Sequence, residues 1–169
     1  AEQKGIDIFT RAVEKLMRLP LQIVVLGAGD PKYHRQLERL VKKFPERLQV
    51  NLTFDSALAH QIEAGADAFL MPAHVEPCGL NQMYSMRYGT VPIVRKVGGL
   101  ADTVRDVTSE TLAAQTATGF VFEAYTARAM LEAVTRALAA FRDHDLWTRV
   151  MRTGMRTDFS WNRSAQAYV

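Results

Sequence analysis

The sequence has 169 residues, 48% of them hydrophobic and 23% charged, which is enough apolar surface for one domain with a buried core and too much for a disordered chain. Its net charge of +3 is spread among acids and forms no concentrated basic patch of the kind that grips nucleic acid. The single cysteine, Cys78, rules out an internal disulfide and any zinc site built from several thiolates. No apolar run nears the roughly 20 residues of a membrane-spanning helix, and Ala1-Glu2-Gln3-Lys4 does not read as a signal peptide. The expectation is a soluble, cytoplasmic domain with neither nucleic acid nor membrane as partner.

In chain order, Ile6, Phe9, Ala12, Val13 and Leu16 recur at helical spacing. The short apolar run Leu21 to Leu26, closed by Gly27, predicts a buried strand. Pro31 to Phe44 predicts a helix, with Asp30 as N-cap and Leu37, Leu40, Val41 and Phe44 as its apolar stripe. Leu48 to Leu52 predicts a strand, Asp55 to Ala64 a short helix stopped by Gly65, and Ala68 to Met71 a third strand ended by Pro72. An irregular stretch leads to a helix over Gly79 to Tyr88 and a strand over Val91 to Val94. A turn at Gly98-Gly99, a polar loop from about Asp106 to Thr118 and a strand over Phe120 to Phe122 follow. Helices are predicted over Thr126 to Phe141, Asp143 to about Met155, and Ser160 to Tyr168.

This alternation predicts an α/β fold with a doubly wound parallel sheet, as a single domain over residues 1–169 with a helical tail from about 126 to 169. The chain starts with a helix, however. In the strand order 3-2-1-4-5-6 the first strand lies at the centre, so the expectation is a sheet whose own first strand is missing from this sequence.

Ligands of such sheets bind beyond the carboxyl ends of the strands, where three segments have unusual content. Gly27-Ala28-Gly29-Asp30-Pro31 superficially suggests a dinucleotide fingerprint, but Lys32 stands at the third glycine position, so a tight strand-to-helix turn is expected. The segment from Pro72 to Gln82 places Glu76, Pro77 and Gly79 directly before a helix, whose first N–H groups and positive dipole end suit a phosphate. Gly79 would let a ligand approach the backbone closely. Glu76 repels phosphate, which leaves two readings open. Either it accepts hydrogen bonds from sugar hydroxyls, as a nucleotide-sugar requires, or it merely caps the helix while Pro77 stiffens the loop. Arg95-Lys96, ahead of Gly98-Gly99, neutralise a phosphate or form a solvated turn, and the turn is the expectation.

Six stretches, taken together, resemble the C-terminal half of bacterial glycogen synthases and plant starch synthases. They are Gln3-Lys4-Gly5-Ile6-Asp7, Glu76-Pro77-Cys78-Gly79-Leu80, Arg87-Tyr88-Gly89-Thr90, Gly98 to Val104, Thr118 to Phe122, and Asp158-Phe159-Ser160-Trp161. They follow the family's order and cover essentially the whole chain. The resemblance implies a retaining glucosyltransferase of the GT-B fold: two Rossmann-like domains with the active site in the cleft between them, this chain being the donor half. It implies ADP-glucose as donor, ADP as leaving nucleotide, and an α-1,4-glucan acceptor held largely by a separate N-terminal domain. No cofactor and no metal are expected, and no Asp-x-Asp pair stands at a strand end.

The resemblance matches Lys4 to the family lysine at the donor diphosphate and Glu76 to the glutamate beside the transferred glucose, the two implied catalytic residues. Cys78, Gly79, Leu80 and Asn81 match the backbone that wraps the sugar and distal phosphate. Phe54 matches an aromatic ring lying against adenine, although it also reads as a core aromatic ending a strand. Asn81 stands where the family commonly has threonine, and Ala73-His74-Val75 where Ser-Arg-Phe is frequent. Tyr84 stands where many retaining GT-B transferases carry a second glutamate that ADP-glucose synthases commonly lack. Two other readings stay open: a nucleotide-binding module without activity, and a transferase using another nucleotide-sugar. The histidines show no metal pattern: His34 is expected in solvent, His60 as a hydrogen-bonded structural residue, and His144 at a surface helix start. Cys78 has no base beside it and reads as a small packed residue. Trp161 and Tyr168 are spaced to share one helical face.

Overall fold

The computed structural model describes residues 2–166, so Tyr168, and with it the shared face predicted for Trp161, lies outside the described residues. A 3-10 turn over Glu2–Lys4 leads through Gly5 into α1 (Ile6–Leu16). There follow β1 (Ile23–Leu26), α2 (Pro31–Lys43), β2 (Leu48–Asn51), α3 (Ser56–Gly65), β3 (Ala68–Met71), α4 (Asn81–Tyr88) and β4 (Val91–Arg95). Then come α5 (Gly98–Thr103), α6 (Ser109–Ala113), β5 (Phe120–Phe122), α7 (Ala127–Phe141), α8 (His144–Arg156) and α9 (Trp161–Gln166).

Side-chain caps fix most of the helix starts. Asp30 accepts from the Lys32 N–H at 2.7 Å, Asp55 from Leu58 at 2.9 Å, Thr126 from Ala129 at 3.1 Å and Asp143 from Leu146 at 3.0 Å. Two segments differ from expectation. The polar stretch after Asp106 contains α6, because Thr108 and Thr111 cap each other reciprocally. Gly98-Gly99 is the first turn of α5 rather than a free turn.

Every ladder is parallel, but the strands form two sheets, β1-β2 and β3-β4-β5. Alternate side chains of the larger sheet enter two different clusters. Ile93, Phe120 and Phe122 join Phe9 and Val13 of α1 and Met130 and Ala133 of α7. Val94 and Val121 point the other way, to Met86 of α4 and Leu100 of α5. Ile23, Val25, Leu48 and Val50 of the smaller sheet face the same cluster as α1 and α7. Helices therefore cover both faces of the larger sheet, as in a doubly wound fold. The break between β1 and β3 falls where the central strand is expected. Arg47, at the foot of β2, ties the α1–β1 loop down by donating to the carbonyls of Met17, Leu19 and Leu21.

Glu63 on α3 is buried, and its Oε2 has no partner in the structure. Burial pushes its carboxyl above the ordinary value of 4.5, against a weaker opposite pull from His60. The folded chain thus holds this proton more tightly than the unfolded chain, and stability falls as pH rises from 4.5 through the raised folded value. Glu63→Gln is expected to raise Tm at pH 7 by about 2–4 °C, the shift that each kcal/mol brings in a domain of this size. Melting scans at pH 7 and pH 4 check it: the advantage should disappear at the lower pH.

Candidate functional site

The site is built at the carboxyl end of β3, where residues 72–80 lead into α4. The start of the chain docks on this loop: the Gln3 carbonyl accepts from the N–H of His74 at 2.8 Å and of Val75 at 3.3 Å. Gly5 permits the approach, since its φ is +76° and a Cβ there would lie 1.9 Å from the Pro72 oxygen. This places the Lys4 ammonium 2.5 Å from Glu76 Oε2. The Glu76 side chain is only 9% exposed and that of Lys4 63%, so a buried acid is paired with a cation that reaches solvent.

The second support comes from below. Gly99 N–H donates to the carbonyls of Glu76 at 3.1 Å and Pro77 at 3.2 Å. A Cβ on Gly98 would lie 2.0 Å from the Glu76 oxygen, and one on Gly99 would lie 1.7 Å from the Cys78 oxygen. The double glycine is therefore the seat on which the Glu76–Cys78 backbone rests. Gln82, with no exposed surface, reaches back from the first turn of α4. Its Nε2 donates to the carbonyls of Cys78 at 3.3 Å and Gly79 at 3.0 Å, and to Thr103 Oγ1 at 3.1 Å. Thr103 Oγ1 in turn donates to the Gly99 carbonyl at 2.5 Å. Gln82 and Thr103 had no role in the sequence reading. An amide three residues past the loop glycine, at the opening of a helix, is the signal that could have found the first of them.

No side chain caps α4. Leu80 occupies the N-cap with an apolar, half-exposed side chain, so the first N–H groups of the helix are left for solvent or an anion. The reading of Glu76 as a helix cap fails, because its carboxylate is turned to Lys4. Lys4, Glu76, Gly79, Leu80 and Asn81 all line one cavity. Cys78 is exposed, against the expectation of a packed residue, because its carbonyl and not its thiol packs against Gly99. Phe54, in the link from β2 to α3, is 87% exposed and so is not a core aromatic. It is not among the residues lining that cavity.

The two cations at the carboxyl end of β4, Arg95 and Lys96, hold loops. Arg95 donates to the carbonyls of Ala73, His74 and Glu123 and lies 5.2 Å from the centre of the Tyr125 ring. Lys96 pairs with Glu123 at 2.7 Å, which raises the lysine pKa and lowers that of the glutamate. Tyr125 stacks on His74 with ring centres 4.5 Å apart and donates its hydroxyl to Asp7. Burial first, then the Asp7 contact, pushes the Tyr125 hydroxyl up to about 12. His34 is not simply in solvent: its Nε2 accepts from the Gly29 N–H at 3.1 Å and pins the turn after β1. His60 meets the Tyr88 hydroxyl at 3.3 Å and packs beside Tyr84, a structural role. His144 opens α8 at the surface. Among the described residues no three His, Cys, Asp or Glu side chains converge where a cation could sit, and no helix is long and apolar enough to cross a membrane.

A family model described as glycosyl transferases group 1 matches residues 1–145. The chain belongs to this family. Within the group 1 glycosyltransferases it is 56% identical over 168 residues to "Glycogen synthase 1" of Methylococcus capsulatus, a match covering 99% of this chain and 34% of the relative. It is 52% identical over 166 residues to the glycogen synthase of Nitrosospira multiformis, covering 98% and 34%. The catalytic domain of starch synthase IV from Arabidopsis thaliana, solved bound to ADP and acarbose, superposes with a TM-score of 0.89 at 36% identity, covering 99% of this chain and 35% of that one. Sucrose-phosphate synthase from Thermosynechococcus elongatus shares the fold, with a TM-score of 0.71 at 24% identity over 99% of this chain and 42% of that one. The chain thus spans about a third of the length of these glycogen synthases, matching their C-terminal part, and its fold is one Rossmann-like unit of a GT-B glycosyltransferase.

Proposed function

We propose that this chain is the donor-binding part of a glycogen or starch synthase, a soluble cytoplasmic enzyme. The intact enzyme transfers glucose from ADP-glucose to the non-reducing 4-hydroxyl of an α-1,4-glucan with retention. The observation that carries this reading is the Lys4–Glu76 pair beside the uncapped start of α4. The donor diphosphate lies between the Lys4 ammonium and the first N–H groups of α4, which offset the charge that grows as ADP departs. Lys4 supplies the cation in this scheme, with no metal or other cofactor. Glu76 accepts hydrogen bonds from the glucose hydroxyls, and the backbone from Cys78 to Asn81 follows the sugar and distal phosphate. The exposed ring of Phe54 offers a face to adenine. The glucan acceptor is held by the part of such enzymes outside the matched third, so this chain alone binds donor without turnover. Similarity to glycogen synthases, and to a starch synthase structure bound to ADP, supports the assignment.

Calorimetric titration with ADP, UDP and GDP tests the donor. ADP should bind at least about tenfold more tightly than either other diphosphate, a margin of about 1.4 kcal/mol. Equal affinity for the three would refute the ADP-glucose assignment. Transfer of labelled glucose to glycogen should be absent for this chain and present for the intact enzyme.

A further inference from the structure

A second, polar pocket of about 310 Å³ adjoins the cavity of the candidate site at the start of α1: Lys4 and Ile6 line the first cavity, Asp7 and Thr10 the second. Asp7, Thr10 and Arg11 share one face of α1, and Lys32 and Gln36 stand one turn apart on α2. His74 enters from the loop after β3 and Tyr125 from the link between β5 and α7. The frame of the pocket is held from behind. Arg95 donates to the Ala73 and His74 carbonyls, and the Gln3 carbonyl accepts from the His74 N–H. The His74 ring lies on the Tyr125 ring at an angle of 31°, and the Tyr125 hydroxyl donates to one oxygen of the Asp7 carboxylate.

The groups that this frame leaves unused decide the ligand. The side chains of Arg11 and Lys32 are exposed and make no hydrogen bond or ion pair among the described residues. Gln36 Oε1 is buried without a partner, and the second Asp7 oxygen accepts nothing among the described residues. Donors and acceptors are thus interleaved around one small space. An ionised phosphate or carboxylate satisfies only the two cations: it brings no hydrogen for the Gln36 oxygen, and Asp7 repels it. A hexose hydroxyl donates and accepts at once, so a sugar satisfies both sets. The volume lies at the small end of the roughly 300–1,000 Å³ of ligand pockets, which suits about one or two hexose rings and not a nucleotide-sugar. The exposed imidazole of His74, backed by Tyr125, adds a flat face for a sugar ring.

We infer that this pocket is an auxiliary seat for internal glucose units of an α-1,4-glucan, separate from the site that holds the acceptor's reacting end. The choice of this sugar rests on the proposed function, and the polyol chemistry rests on the pocket itself. His74 stands two residues before Glu76, so the seat begins within about 7 Å of backbone from that carboxylate. A polymer held there stays at the cleft between transfers, and its free end meets the acceptor site at the effective concentration of a tethered chain. Arg11, Lys32 and Gln36 recognise the polymer and take no part in the reaction.

Nuclear magnetic resonance titration of the 169-residue chain with maltotriose, in parallel with inorganic phosphate, tests the pocket. Maltotriose should bind saturably and shift the amides of Arg11, Gln36 and His74. Its affinity should fall at least about tenfold in Arg11→Ala and in Gln36→Leu, while ADP affinity and Tm stay unchanged in Arg11→Ala, whose side chain is exposed. In the intact enzyme Arg11→Ala should raise the KM for glycogen by about three- to tenfold, with kcat, the KM for ADP-glucose and the KM for maltotriose as acceptor unaltered. No saturable maltotriose binding, or binding that both variants retain, would overturn the assignment. Binding of phosphate in place of maltotriose would make this an anion site and overturn it too. A KM for maltotriose that rises as far as that for glycogen would put the pocket inside the acceptor site, and the auxiliary role would fall. The donor reading fails separately, on the ADP titration, because maltotriose binding is measured without nucleotide.

Discussion

Glu76→Gln in the intact enzyme is expected to lower kcat by about 10²–10³-fold while the Kd for ADP moves less than about threefold. The substitution keeps the shape and one acceptor of a side chain held 2.5 Å from Lys4, and removes its charge. In the proposed reaction positive charge grows on the glucose ring as ADP leaves, so a carboxylate placed there would matter more in the transition state than in the ground state. Diphosphate binding gains slightly, if anything, when a like charge is removed. Lys4→Ala should behave differently, and the exposures decide why. Losing Glu76 leaves a lysine that is 63% exposed and hydrated, whereas losing Lys4 leaves a carboxylate that is 9% exposed without its counter-charge. Lys4→Ala is therefore expected to cost about 1–3 kcal/mol of stability as well as ADP affinity. Single-turnover kinetics with ADP-glucose, paired with ADP titration of both variants, separates the two roles. An unaltered kcat in Glu76→Gln would remove that residue from the reaction.

The order of elements was legible because each carries a local signal. Asp30, Asp55, Thr126 and Asp143 stand where helices begin, and Gly89 stands where α4 ends in a left-handed residue. The gap between β1 and β3 was legible for a topological reason: in the order 3-2-1-4-5-6 the middle of the sheet belongs to the strand ahead of the first helix, and no strand precedes α1 among the described residues. The Glu76 loop was picked out from its place ahead of a helix and Lys4 only through the family resemblance, but their contact spans 72 residues and no local pattern encodes it. The roles of Gln82, Thr103 and the double glycine were hidden for the same reason. They act on carbonyl oxygens of a distant loop, and backbone oxygens leave no mark in a sequence. Cys78 was misjudged because side-chain type predicts burial only where the side chain, and not the main chain, makes the packing contact. α6 was missed because its capping box pairs Thr108 with Thr111, in place of the more familiar glutamate at the third helical position.

Gly99→Ala is the second large expected effect. A methyl group there would meet the Cys78 carbonyl oxygen at 1.7 Å, and neither atom can be moved by a rotamer change because the conflict is between main chains. Relief requires the loop from Glu76 to Gly79 to lift off α5, breaking the Gly99 N–H bonds to Glu76 and Pro77 and disturbing the Gln82–Thr103 contacts beneath it. Such a displacement is expected to cost about 3 kcal/mol and to lower Tm by roughly 6–12 °C. On the proposed function it should also weaken ADP binding more than about tenfold, because the N–H groups assigned there to the diphosphate would move with the loop. Gly89→Ala is the matched control. Its φ of +85° brings left-handed strain of about 1–2 kcal/mol, yet its nearest neighbours are the flexible ends of Met151 and Met155 at 3.3 and 3.4 Å. Gly89→Ala should therefore lower Tm and leave ADP affinity unchanged. Melting curves and calorimetry on both variants, at a temperature where each is folded, distinguish a general loss of stability from a specific loss of the donor seat. Wild-type ADP affinity in Gly99→Ala would mean that the diphosphate does not rest on this loop, and the assignment of Gly79 to Asn81 would fall with it.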